Sequence, residues 1–166
     1  YSLSAFACNV GSKLRLVENS PCSNCYALKG RYVFPNVQNA LDKRLDKVLN
    51  NPNWVDAMVF LVLWYCIKTK VFRWHDSGDI QNVEHLRMIA DGAGRTPGVK
   101  HWLPTPDGSI VKQYKQKYGD FPKADPGTTA IPWLSIRYSV SDKSLASFIF
   151  LLSNKLLIAF LASINA

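Results

Sequence analysis

Cysteine is scarce in this chain, four residues in 166. That density excludes the disulfide-stapled scaffolds of small secreted domains, and a chain of this length buries enough of itself to fold without staples. No block of five or more like charges occurs, so no charged tail is set apart from the rest. Internal repeats and low-complexity tracts are missing too, which removes repeat architectures. The chain opens on Tyr1 without a basic stretch leading into an apolar core, as a secretory signal would have. The expectation is therefore a reducing, intracellular compartment, where clustered cysteines bind metals or do redox work.

What is present describes a globular protein. Apolar residues make up 48% and aromatic residues 12%, with five Trp, and the length is that of one domain. Twenty Lys and Arg against twelve Asp and Glu leave a net charge of +8. Such a surplus suits nucleic acid or an anionic ligand, and equally a merely soluble basic surface, since the charge is spread from Lys13 to Lys155.

Periodicity and punctuation predict a strand at 1–8 that delivers Cys8, then a loop over 9–35 carrying Gly11, Pro21, Gly30 and Pro35. A helix follows over 37–49, with Val37, Ala40, Leu41, Leu45 and Val48 on one face. A second helix, 54–69, opens after Asn53 as its cap and is apolar almost all round, which predicts burial. Segment 71–80 is expected to begin as a strand and end in a polar turn, and strands are expected at 99–105 and 133–140, with helices at 82–91 and 108–117 between them. Strands alternating with helices imply an α/β fold with a parallel sheet and right-handed crossovers. The segment 141–166 changes character, with no Gly or Pro after position 144 and Lys155 as its one charge there. It reads as an apolar C-terminal helix, buried or used for self-association. The Ser-Asn-Lys interruption near its middle argues against a membrane span, which needs about 20 predominantly apolar residues.

Cys8, Cys22 and Cys25 stand apart from this frame. Cys22 and Cys25 form a CxxC pair, a spacing that lets both sulfurs point at one centre, and thirteen residues separate Cys8 from Cys22. No second CxxC pair follows, which argues against a four-thiolate zinc ribbon. Cys66 lies in the apolar helix and reads as a small core residue, leaving His75 as the other candidate for a fourth ligand. Three thiolates with no evident fourth are the stoichiometry of an iron–sulfur cluster with one open iron, or of a catalytic metal. In FRWHDSGD, residues 72–79, Arg73, His75 and Asp76 end a strand that should be buried, and polar groups there are costly without partners. A ligand pocket at the strand's carboxyl end accounts for them. The alternative is a simple turn with Asp79 capping the next helix.

The segments CNVGSKLRLVENSPCSNCYALKGRY, WVDAMV, FRWHDSGDIQNVEHL and KHWLPT resemble the phage protein family called gene product 88. The cysteine arrangement of that family is similar to that of radical SAM proteins. The resemblance implies a radical-SAM-like iron–sulfur domain over 1–140, a partial, parallel (β/α) barrel-like sheet with the metal-binding loop after its first strand. It implies a [4Fe-4S] cluster on Cys8, Cys22 and Cys25, with S-adenosylmethionine (SAM) on the fourth iron. Ser77, Gly78 and Asp79 resemble the short glycine-and-acid motif that holds the SAM amino group, and Arg73 and His75 would stand beside it. A phage protein of this kind would work in the cytoplasm of the infected host cell. The chain departs from the radical SAM pattern in its long gap after Cys8 and in carrying its aromatic residue at Tyr26, after the last cysteine. Further along, Arg137 and Ser139 share a strand face and are weaker site candidates. Two functional classes stay open: an enzyme of radical SAM type, and a non-catalytic redox or structural iron–sulfur module with a basic, nucleic-acid-compatible surface.

Overall fold

The computed structural model describes residues 1–121 and 134–138. Three parallel strands in the order β1-β2-β3 form the sheet: β1 Val71–Arg73, β2 Lys100–Thr105 and β3 Leu134–Tyr138. The pairing sets Val71 against Lys100 and His101 against Leu134. Among the described residues the sheet is small and does not close into a barrel. Five α-helices among the described residues accompany it: α1 Asn9–Leu14, α2 Pro35–Asn50, α3 Trp54–Tyr65, α4 Val83–Gly94 and α5 Gly108–Tyr118. Helices α4 and α5 are the crossovers of a βαβαβ unit. Residues 141–166 and Ser139 lie outside the described residues, as does most of the loop expected at 119–132.

Local chemistry explains where the crossover helices begin. The Asn82 side chain accepts the His85 N–H at 2.8 Å to start α4, and the Asp107 carboxylate accepts the Ser109 and Ile110 N–H groups at 3.1 Å to start α5. Asn82 and not Asp79 is therefore the cap of α4. Pro35 opens α2, where a missing N–H costs nothing.

Two expectations are corrected. Residues 1–4 are extended but belong to no strand, and Ala5–Ala7 form a single 3-10 turn before Cys8. The segment still lies against the end of β1, since Asp76 N–H donates to Tyr1 O at 3.2 Å and Leu3 N–H to Ser77 O at 2.9 Å. Helix α3 is not buried all round. Trp54, Met58, Val62 and Cys66, every fourth residue, are covered, while Phe60, Trp64 and Tyr65 are exposed. One stripe of an α-helix suffices to meet α4 beside it. Among the described residues no helix is long and apolar enough to cross a membrane.

The core gathers Leu3, Trp54, Met58, Trp74, Ile80, Leu86, Ile89 and Leu103. Through it runs a polar chain of fixed direction. Trp74 Nε1–H donates to His101 Nδ1 at 3.1 Å, so the His101 proton sits on Nε2 and is given to Thr96 Oγ1 at 2.8 Å. The Thr96 hydroxyl in turn donates to Gly92 O at 2.9 Å. A second proton on His101 would face the indole N–H, and burial already holds the imidazole down at about 4. Burial lowers His85 to about 4 as well.

Both rings stay neutral in the folded chain while the unfolded chain takes up protons below about 6.5. Stability should therefore fall as the pH drops from about 6.5 to about 4, by up to about 3 kcal/mol per ring, with no further loss from these rings below that. Urea midpoints measured across this range, with His101→Gln losing part of the pH dependence, check the assignment.

Candidate metal centre

The three cysteines reach one place by different routes. Cys8 is the N-cap of α1, presented by the turn after the extended N-terminal segment. Cys22 and Cys25 sit on a turn shaped by Ser20, whose hydroxyl oxygen accepts the Ser23 N–H at 3.0 Å and the Cys22 N–H at 3.3 Å. The Asn9 side chain donates to Gln81 O at 2.8 Å, which ties α1 to the segment after β1. All four cysteines are free thiols, and Cys66 packs elsewhere, against Val62 and Val99.

Cys8, Cys22 and Cys25 line a single cavity together with Arg73, His75, Ser77, Gly78 and Asp79. The metal-ligand candidates and the cofactor-binding candidates thus occupy one site, at the carboxyl ends of β1 and β2, where Pro104, Thr105 and Pro106 close the wall. Its volume of about 170 Å³ is below the roughly 300–1,000 Å³ of small-molecule pockets. That size suits a compact inorganic group or one end of a longer ligand. A larger hollow of about 590 Å³ between α2 and α3 is lined by Lys43, Arg44 and Trp54 among others, and has no thiol or carboxylate in its wall.

The strand end does not follow simple alternation. Trp74 goes to the core, and His75 then adopts a left-handed backbone (φ 51°), uncommon for a residue with a side chain, which breaks the alternation and brings Asp76 to the cavity beside Arg73 and His75. His75 is fully buried, and neither ring nitrogen has a hydrogen-bond partner among the described residues. Burial, reinforced by the neighbouring His85 ring 5.2 Å away, drives its pKa well down, so it is a neutral imidazole. Asp79 accepts the Ile80 N–H on Oδ1 at 2.8 Å and leaves Oδ2 buried and unpartnered. Burial pushes its carboxyl up to about 7, against the Ile80 N–H, which favours the ionised form.

Ser77 and Gly78 also hold the N-terminal segment. The Ser77 hydroxyl donates to Leu3 O at 2.8 Å. Gly78 (φ 76°) presses against Leu3 so closely that a Cβ would stand 2.6 Å from the Leu3 Cβ. The glycine admits the N-terminal segment at the point of closest approach. At the rim, Arg73 lies 4.8 Å over the Trp102 ring and 3.7 Å from Asp76. The Tyr26 hydroxyl donates to Asp76 O and the Tyr32 hydroxyl to Asp76 Oδ2, so the residue after Cys25 clamps the cysteine loop to the strand end. Of Arg137 the structure places only the backbone, opposite Pro104.

Gly11 carries the most telling space, and the sequence reading had treated it only as loop punctuation. A Cβ there would stand 3.6 Å from both the Cys8 and Cys22 sulfurs and 3.0 Å from the Cys8 Cβ. Its spacing of three from Cys8 on a helix is the signal that could have found it. Burial pushes the Cys8 thiol up to about 12, with Asp79 and the other two cysteines adding to the shift, and Cys22 is raised for the same reasons. Thiols so placed beside a carboxylate do not ionise together unless a positive centre joins them.

Among the described residues no group of three or more His, Cys, Asp or Glu is gathered closely enough to hold a single metal ion. Around one zinc ion the sulfurs would have to close to about 2.3 Å from a common point. A four-iron cluster takes thiolates around a larger body, and Gly11 leaves room between two of them. The donor set is of the kind such clusters take.

Fold and site together define a small parallel α/β protein with a thiol-lined cavity at the carboxyl ends of its strands. The family model described as Gene product 88 matches residues 5–147, and the chain belongs to that family. No curated protein and no solved structure matches it.

Proposed function

We propose that this is an iron–sulfur protein of radical-SAM-like type, with Cys8, Cys22 and Cys25 holding a [4Fe-4S] cluster whose fourth iron faces the cavity. The observation that carries the reading is the shared cavity. Three thiols drawn from two separate segments, a carboxylate with one unpartnered oxygen and an unpartnered imidazole converge where the strands end. A bound cluster of this kind supplies a single electron to a ligand held at its open iron. The chain's own residues then have distinct tasks. Asp79 Oδ2 accepts the ammonium of an amino-acid-like ligand such as SAM. Arg73 at the rim pairs with an anionic group. Ser77 and Gly78 hold the wall by fixing Leu3. Tyr26 and Tyr32 keep the CxxC turn against Asp76, and the fold would supply part of a (β/α) barrel as the frame.

The test is the reduced EPR spectrum of anaerobically reconstituted protein with and without SAM. SAM should shift the signal, and dithionite should then yield 5′-deoxyadenosine. Asp79→Asn should keep the cluster and weaken the SAM effect roughly ten- to a hundred-fold, the loss of one hydrogen bond to a charged group. An Asn variant that responds to SAM like the parent would remove Asp79 from the site.

A second reading is favoured by His75, whose ring nitrogens are both free at the cavity wall. With imidazole on the fourth iron the site is closed and the centre serves electron transfer or structure. Under this reading SAM leaves the EPR signal unchanged and His75→Ala alters it.

A further inference from the structure

The cysteines do not exhaust the cavity's chemistry, because α1 carries a cation on the face that meets them. Cys8, Gly11 and Arg15 are spaced three and four apart on α1 and its caps, which places them on one side of the helix. Gly11 marks what that side confronts, since its missing Cβ would touch the sulfurs of both Cys8 and Cys22. Arg15 is anchored at one corner, Nη2–H donating at 3.2 Å to Ala5 O, in the turn that leads into Cys8. Its Nε–H is buried and has no acceptor among the described residues. A buried donor of this kind is costly if left unmade, and a guanidinium cannot shed its proton to escape that cost.

From this placement we propose that Arg15 is a positioning residue for the metal centre, whose fixed positive charge and free Nε–H stabilise the more negative, reduced state of a cluster on Cys8, Cys22 and Cys25. The inference rests on the iron–sulfur reading of the site but adds a separate claim, that a protein cation sets the centre's redox poise. An added electron is easier to accept beside a half-buried cation, because charge and hydrogen bonds near the sulfurs are among the levers that move cluster potentials. Arg73, the cation that lines the cavity itself, is held at the half-exposed rim by Trp102 and Asp76 and is screened by water more than the buried Arg15 Nε.

The experiment is an EPR-monitored redox titration of the reconstituted full chain as parent, Arg15→Lys and Arg15→Gln, each with iron and sulfide analysis. Arg15→Gln should hold a full cluster and titrate at a lower potential than the parent. Arg15→Lys, which keeps the charge and loses the Nε–H, should fall between. Equal potentials in all three, with full clusters, overturn the proposal while leaving the iron–sulfur reading standing. If Arg15→Gln takes up no cluster, Arg15→Lys decides alone: a lowered potential supports the proposal and an unchanged one overturns it. A parent protein that takes up no cluster overturns the reading of the site, and this proposal with it.

Discussion

Replacing Cys8, Cys22 or Cys25 by alanine should abolish the visible absorption of the anaerobically reconstituted protein, while Cys66→Ala keeps most of it. The contrast follows from position. The first three thiols face one cavity, whereas Cys66 fills a gap between Val62 and Val99 behind α3. Each cavity cysteine carries a full share of a three-thiolate centre, so losing one leaves too few ligands and the loss should be near complete. Cys66→Ala removes a small buried side chain and should appear as a stability loss of roughly 1–2 kcal/mol without loss of colour. Absorption spectra and iron content of the four variants check this. Colour retained in Cys22→Ala and lost in Cys66→Ala would reverse the assignment.

Gly11→Leu should empty the centre as thoroughly as a cysteine substitution, although Gly11 donates nothing. A Cβ at Gly11 already reaches 3.6 Å from two sulfurs and 3.0 Å from the Cys8 Cβ, and the rest of a leucine side chain would enter the space between the thiols. The glycine has an ordinary helical backbone, so the substitution does not strain φ, and leucine favours a helix by up to about 1 kcal/mol over glycine. Cluster-free protein should therefore unfold at a urea midpoint close to the parent's while iron uptake fails. This separates loss of the centre from loss of the fold. Full loading of Gly11→Leu would show that no cluster occupies the gap.

What could be read in the sequence follows from what periodicity can see. The βαβαβ order was legible because helices and strands of ordinary length carry their own spacing, as in Leu41 and Val48 of α2 or Leu86 and Ile89 of α4. The eight residues named for the site from the CxxC pair, Cys8 and the FRWHDSGD stretch all line one cavity. Their individual tasks were less legible. Gly78 suggested a ligand approached by backbone, but that contact is made by Leu3, some 75 residues away in the chain, and no local pattern reports it. His75 departs from strand alternation because its φ is positive, which no local pattern announces. The short helix α1 escaped because six residues carry less than two turns of periodicity, and with it went Gly11 and Arg15. The burial expected of α3 failed for a different reason. Apolar residues all round a helix state what can be covered, and Phe60 and Trp64 are left exposed.

Iron and acid-labile sulfide per chain, measured on anaerobically purified and reconstituted parent protein together with its reduced EPR spectrum, test the central claim most directly. A [4Fe-4S] centre on Cys8, Cys22 and Cys25 predicts about four iron and about four sulfide per chain and a signal that appears on reduction. Stoichiometric zinc with no sulfide and no EPR signal would contradict it.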